Sequence, residues 1–146
     1  MTLTNHLLTG AIFAKVLPLP LAIPLAFASH FVLDALPHFG FINIEERTKY
    51  NKLFGAIVLL DCLLSVALSA WLISRGHSQW LLAGFAAFSP DLVWIYRFTV
   101  EEKFGKLKPT KGNRFIQFHI KIQQYERAWG GLVELVYAVG AFLILR

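Results

Sequence analysis

The chain has 146 residues, of which 56% are hydrophobic and 16% are charged, and its formal net charge is +5. This apolar content is well above that of an ordinary water-soluble domain and predicts an integral membrane protein. The single cysteine, Cys62, excludes a disulfide within one chain. We expect no signal peptide, because the first residues lack a basic segment and a small-residue cleavage site.

The predicted elements begin with a long apolar stretch at residues 5–37. It exceeds the roughly 20 residues that one membrane crossing requires, and three prolines punctuate its middle. The economical interpretation is a helical hairpin, with helices at 5–16 and 21–37 and a turn at Leu17–Pro20. These two helices either span the membrane or re-enter it. A polar connection follows at 38–52.

Three stronger spans continue the helical prediction, at residues 53–74, 80–98 and 128–145. The second contains Ser89-Pro90, and a Ser N-cap followed by Pro at the first helical position is a helix-start signal. That span is therefore expected to break and restart at Asp91.

Residues 99–127 separate the last two spans. They form a basic loop at first and then an amphipathic segment, 114–127, that is predicted to lie along the membrane interface. Together these elements predict one domain over 1–146, an all-α integral membrane bundle of four to five membrane-inserted helices.

Lysine and arginine are distributed unevenly along the chain. Eleven of the fourteen lie in two polar regions, 38–52 and 97–127. One pair of spans separates these regions, so both lie on the same side, and the excess of positive charge makes that side cytoplasmic. We therefore predict a multi-pass protein of the inner, cytoplasmic membrane.

The run Ser29–His38 places His30, Asp34 and His38 four residues apart in an apolar helix. Residues at this spacing share a helix face, and imidazole and carboxylate are ordinary ligands of zinc and related ions. Ionisable groups in an apolar segment are costly, which favours a functional site. The alternative for His30 and Asp34 is a buried hydrogen-bonded pair that fixes helix packing. Pro37 is expected to end the helix beside His38.

Further ionisable groups lie at the same predicted level, near the cytoplasmic interface: His6, Asp61, Asp91, His119 and Glu134. The structural alternative for His6 is a residue at the membrane interface near a helix start. For Asp91 it is an N-terminal carboxylate that the helix dipole favours. Asp61 has the alternative of a buried proton carrier. His119 shares its helical stripe with Gln123, which is expected to face solvent.

Three stretches, Thr4–Gly10, Ser29–Asp34 and Ser89–Asp91, resemble the predicted membrane-bound metal-dependent hydrolases of bacteria and archaea. Pro37-His38 and Gly40 extend the second stretch. That family is similar to the all-helical group of zinc phospholipase C and single-strand nucleases. The chain lacks the family's second acid after the Pro-Asp element and its His-Arg-Gly stretch. The resemblance implies metal ligation by four residues: His6, His30, Asp34 and Asp91.

The sequence therefore predicts metal-assisted hydrolysis of a phosphoester in a membrane lipid or lipid-linked substrate, with a divalent ion, zinc, as cofactor. The expected ligands are His30, Asp34, His38 and Asp91, with His6 or His119 completing the set. Asp61 or Glu134 would act as general base or orient a ligand. Four basic residues would hold the substrate phosphate: Arg47, Lys49, Arg97 and Arg114.

Two non-hydrolytic functions compete with this one. An ion or proton path could use Asp61, Asp91 and Glu134, but the outer half of the predicted bundle is nearly free of polar groups. A membrane assembly subunit could use the polar cluster only to fix helix packing. No nucleic-acid partner is expected, because anionic lipid head groups are nearer to the basic loop.

Overall fold

The computed structural model describes residues 1–40, 51–93 and 114–146. Throughout these ranges the regular structure is helical, and no β-strand forms in them, which confirms the prediction of an all-α chain. The α-helices of the described ranges are α1 (Leu3–Val16), α2 (Leu19–Asp34), α3 (Asn51–Ser74), α4 (Trp80–Phe88), α5 (Arg114–Ile122) and α6 (Gly130–Leu145). A single 3₁₀ turn follows α4 at Ser89–Asp91, and another follows α5 at Gln123–Tyr125.

The first two helices contact each other and are joined at Leu17 and Pro18. Helix α2 begins at Leu19, two positions before the prediction, with Pro18 as its N-cap. Pro20 is tolerated in the first turn because the backbone N–H that it lacks would have no partner within the helix. The helix ends at Asp34 rather than at position 37, since Pro37 disfavours a helical conformation just before it.

Helix α4 is short because Ser89-Pro90 ends it where the sequence predicted a break. The 3₁₀ turn at Ser89–Asp91 carries Asp91 at its last position. Residues 94–98 of the predicted span and the basic loop at 99–113 lie outside the described residues.

Helix α1 is the centre of the described bundle, in contact with α2, α3, α4 and α6. It lies very close to α4, because a Cβ atom at Gly10 would overlap the carbonyl oxygen of Ala83. Alanines continue this tight packing between α2 and α4, where Ala22, Ala26 and Ala87 are fully buried. Small residues at helix crossings are typical of bundles that pack by close backbone approach.

Only α3, among the described helices, is long and apolar enough to cross a membrane. Its span runs from Lys52 to Ser74, with a mean hydropathy of 2.3, and 17% of its most apolar stretch is buried in the structure. The outward face is therefore apolar and exposed, with Leu59, Leu63 and Val66 each more than half accessible. The helices α2 and α6 are apolar too, but shorter than a full span. A bundle of four to five spans thus remains a prediction.

Candidate metal centre

Two imidazoles and two carboxylates from separate parts of the chain meet at one point. His30 and Asp34 come from the end of α2, Asp91 from the 3₁₀ turn after α4, and His119 from α5. One ligand atom from each lies within 4.8 Å of the corresponding atoms of the other three. His30, Asp34 and His119 are fully buried, while 28% of the side-chain surface of Asp91 is accessible. The ligand atoms are thus buried, Oδ1 of Asp91 included, and only the Asp91 side chain is partly exposed.

The distances within this group match those around one ion. His30 Nε2 lies 3.1 Å from His119 Nε2 and 3.2 Å from Asp34 Oδ2. His119 Nε2 lies 3.1 Å from Asp34 Oδ2, and Asp91 Oδ1 lies 3.6 Å from His30 and 3.5 Å from His119. Ligands held tetrahedrally at about 2.0–2.1 Å from a zinc ion are about 3.3 Å apart. The donor set and its spacing therefore fit a divalent cation such as zinc.

A backbone contact fixes which ring nitrogen of His30 faces the group. Its Nδ1 lies 2.8 Å from the carbonyl oxygen of Ala87, and a carbonyl can only accept, so Nδ1–H is the donor. In the neutral ring, Nε2 then carries a lone pair that points at the carboxylate of Asp34. A hydrogen bond from the remote ring nitrogen to a backbone carbonyl is the usual way in which proteins orient a metal-binding histidine.

His6 faces the second oxygen of each of the same two carboxylates. Its Nε2 is 3.2 Å from Asp34 Oδ1 and 3.9 Å from Asp91 Oδ2, whereas His30 and His119 face the other oxygen of each carboxylate. The ring is fully buried and stacks on His30 with ring centres 4.2 Å apart. Within the described ranges Nδ1 forms no hydrogen bond, and the polar contacts of Nε2 are those with the two carboxylates. A buried imidazole without hydrogen bonds is destabilising unless another partner satisfies it.

Gln123 is a member of the site that sequence reasoning placed in solvent. Its Nε2 donates to Asp34 Oδ2 at 3.2 Å and lies 3.3 Å from His119 Nε2. The signal was its position four residues after His119 on one helix face. The amino group of Met1 also donates to Asp34, at Oδ1.

His38 is buried but lies outside the group of four. Its Nδ1 donates to the carbonyl oxygen of Leu36 at 2.8 Å, and its own carbonyl accepts from the backbone N–H of Arg127 at the same distance. Burial lowers the pKa of its imidazole below the usual value. A Cβ atom at Gly130 would overlap the backbone of His38, so the segment after α2 is pressed against the start of α6.

The two carboxylates that the sequence offered as general bases are both bound to the first turn of α1. Asp61 accepts from the backbone N–H groups of Leu3 and Thr4 at 2.7 and 2.9 Å, and from the Thr4 hydroxyl at 2.6 Å. Glu134 accepts from the backbone N–H of Thr2 at 2.8 Å. Helix α1 has no side-chain cap of its own. The two acids, from α3 and α6, thus supply the capping that Thr2 does not.

The predicted phosphate-binding residues are only partly described. Arg47, Lys49 and Arg97 lie outside the described residues. Arg114 begins α5 and is exposed, four residues before the exposed Phe118 and five before the buried His119. It therefore lies on the same helix as a candidate ligand, on the outward side.

A cavity of about 540 Å³ borders the group. Asp91 and Gln123 form part of one wall, and residues of α3 form another. The accessible side of the candidate ligand Asp91 thus opens into a space large enough for a small organic ligand.

Comparison of the chain with protein-family models, curated proteins and solved structures finds no match.

Proposed function

We propose that this chain is a membrane-embedded, metal-dependent hydrolase of phosphoesters. The observation that carries the proposal is the convergence of His30, Asp34, Asp91 and His119 from three separate segments at ligand-to-ligand distances of 3.1–3.6 Å for every pair that includes an imidazole. A divalent ion bound there, zinc being the proposed one, would supply a Lewis acid and activate water for attack on phosphorus.

The side chains around the group have distinct roles in this proposal. His30 is oriented by the carbonyl oxygen of Ala87, and Asp34 is held by the amide of Gln123. Both would therefore hold their metal-binding atoms in fixed positions. Asp91 is the member of the group of four that borders the cavity, and it would face the substrate. His6 reaches the second oxygen of each carboxylate and would complete the ligand set or accept a proton from water.

The membrane location rests on the exposed apolar surface and on the distribution of charge. Helix α3 meets the length and hydropathy of a span while most of its surface is unburied. Eleven of the fourteen basic residues lie in the two regions predicted to face the cytoplasm. We propose a multi-pass protein of the inner, cytoplasmic membrane, and hence a membrane lipid or lipid-linked phosphoester as its substrate.

The membrane-bound metal-dependent hydrolases that the His-x-x-x-Asp and Pro-Asp stretches resemble would share this activity. Transport receives less support, since Asp61 and Glu134 are bonded to the backbone of α1 rather than placed along a water-accessible path. A purely structural role in membrane assembly is supported by the same contacts of Asp61 and Glu134 with α1. The experiment below distinguishes that role from hydrolysis.

Purified protein in lipid nanodiscs tests the proposal through its metal content and its hydrolysis of phosphomonoesters and phosphodiesters. We expect about one zinc per chain or more, and activity that is lost with a chelator and restored by added zinc. Asp34→Asn and His119→Ala should lose both metal and activity, whereas His77→Ala, at a turn where the ring only stacks on Trp80, should retain both. Protein that folds but binds no divalent ion would overturn the proposal.

A further inference from the structure

The cavity beside the candidate metal centre has one wall made by a regular stripe of α3. Phe54, Ile57, Val58, Asp61 and Cys62 all line it. Their spacing of three and four residues places them on one face of the helix. That face continues beyond the cavity, where it touches the bundle. The cavity is therefore the space between the bundle and the first turns of α3.

The contact that closes this space lies one turn further along α3. Ser65 is buried, and its hydroxyl is 3.0 Å from the hydroxyl of Thr4 on α1. Leu68 and Leu72 then join the apolar core of the bundle. Helix α3 is thus packed against the apolar core in its second half, whereas in its first half Asp61 joins it to the start of α1.

Two polar residues of the cavity lining belong to the candidate metal centre or contact it. The side chain of Asp91 is partly exposed, and the amide of Gln123 donates to Asp34. The acid on the α3 wall, Asp61, is already bonded to the start of α1 and adds little unpaired polarity. A ligand in this cavity would meet a cation site at one end and hydrocarbon at the other.

We propose that this cavity binds the hydrocarbon chain of an amphiphilic phosphoester whose phosphate reaches the metal. The proposal rests on the proposed function, and it adds a site for the part of the substrate that does not react. A volume of about 540 Å³ lies in the range that one small-molecule ligand fills. The reverse face of α3 is itself apolar and exposed, with Leu59 and Leu60 62% and 55% accessible, as expected of a helix in contact with lipid.

The only cysteine of the chain provides a reporter for this site, because Cys62 is exposed and lines the cavity. In nanodiscs, we would measure by mass spectrometry the rate at which N-ethylmaleimide alkylates it. Octyl phosphate is expected to slow alkylation by about tenfold, and ethyl phosphate to have little effect, since each buried methylene contributes about 0.8 kcal/mol. The experiment measures occupancy and needs no catalytic turnover.

Two tryptophan variants on neighbouring positions of α3 separate cavity binding from partition into the bilayer. Ile57→Trp would fill the cavity and abolish the protection by octyl phosphate, whereas Leu59→Trp, on the reverse face, would leave it within about twofold of wild type. Ile57→Phe is a smaller substitution that serves if the tryptophan variant does not fold. Equal protection in both tryptophan variants would overturn the proposal, because the protection would then come from the bilayer.

Metal content measured on the same preparations distinguishes failure here from failure of the proposed function. Protein that holds zinc but shows no chain-length-dependent protection overturns the hydrocarbon site and leaves the metal site intact. Protein that holds no zinc but shows protection lost only in Ile57→Trp supports the hydrocarbon site and contradicts the hydrolase.

Discussion

The Nε2 atoms of His30 and His119, 89 positions apart in the chain, lie 3.1 Å from each other. Two imidazoles and the carboxylate of Asp34 can share so small a buried space only when a cation or a proton lies among them. If the cation is a metal, binding stabilises the folded state. We expect zinc at 100 times its dissociation constant to raise the free energy of unfolding by about 2.7 kcal/mol. A thermal unfolding series with and without zinc measures this.

The variant His119→Ala should abolish that stabilisation, because the group loses one of its two closest imidazoles. His77→Ala is the matched control, since His77 lies at the turn before α4 and contacts Trp80 alone among the ring pairs of the described chain. A zinc-induced shift of equal size in His119→Ala would contradict ligation by this residue.

His6→Phe separates the metal site from a purely structural cluster. The substitution replaces a buried ring, whose Nδ1 has no hydrogen bond in the described ranges and whose Nε2 meets only carboxylates, with an apolar ring of similar shape. In metal-free protein it should leave stability unchanged or higher, because a buried unsatisfied group is removed. In zinc-loaded protein it should weaken metal binding by about tenfold or more. Equilibrium unfolding and a zinc titration give the two readouts, and a loss of metal-free stability would favour the structural role.

Asp61→Ala should destabilise the protein without removing the metal. The carboxylate accepts three hydrogen bonds from Leu3 and Thr4, and its loss leaves N–H groups at the start of α1 unsatisfied at a cost of about 1–3 kcal/mol. Cys62→Ala, at the next position, removes an exposed thiol and should have little effect. Denaturant unfolding and elemental analysis are the measurements, and loss of zinc from a folded Asp61→Ala protein would show that Asp61 supports the metal site.

Gly10→Ala should be severely destabilising, because α1 and α4 touch at that position. A Cβ atom there would overlap the backbone of Ala83 and come within 2.5 Å of the Cα of Gly84. Gly140→Ala on α6 is the matched control, with nothing within 4 Å of the added carbon. Alanine favours a helix over glycine by about 1 kcal/mol, so the control should be neutral or stabilising. Relative to wild type, the melting temperature should fall in Gly10→Ala and stay the same or rise in Gly140→Ala.

Leu63→Arg tests whether α3 crosses a membrane. The side chain is 59% exposed near the middle of the apolar helix. In a bilayer the substitution costs about 2.5–3.5 kcal/mol in insertion free energy, whereas on a water-facing surface it costs little. Alkaline extraction of membranes should leave wild type and Leu63→Ala in the pellet and release a larger fraction of Leu63→Arg. Wild-type protein that is fully extracted would contradict a spanning α3.

The parts of the site that could be predicted from the sequence are those set by local spacing. His30 and Asp34 share a face because they are four residues apart, and the Ser-Pro-Asp element placed Asp91 at a break in its helix. His119 and Gln123 share a stripe for the same reason. Spacing alone did not reveal that the Gln123 amide turns inward to Asp34, because that depends on where α5 lies against α2.

Roles that depend on distant partners could not be predicted in this way. Burial of Asp61 and Glu134 in apolar helices suggested chemistry, but their partners are backbone N–H groups near residue 3, which no local pattern links to α3 or α6. Helix α2 ends three residues earlier than predicted, so His38 lies beyond the helix. Its carbonyl oxygen accepts a hydrogen bond from the backbone N–H of Arg127.

The capping of α1 from far along the sequence has a consequence for biogenesis. During synthesis, α1 and α2 leave the ribosome long before α6, yet Thr2 and Asn5 are bonded to Glu134. All of the candidate ligands precede α6 in the chain, whereas the contacts of Thr2 and Asn5 with Glu134 can form only once α6 has been synthesised. Because His6 directly follows Asn5, we expect it to be the last of the proposed ligands to be held in place.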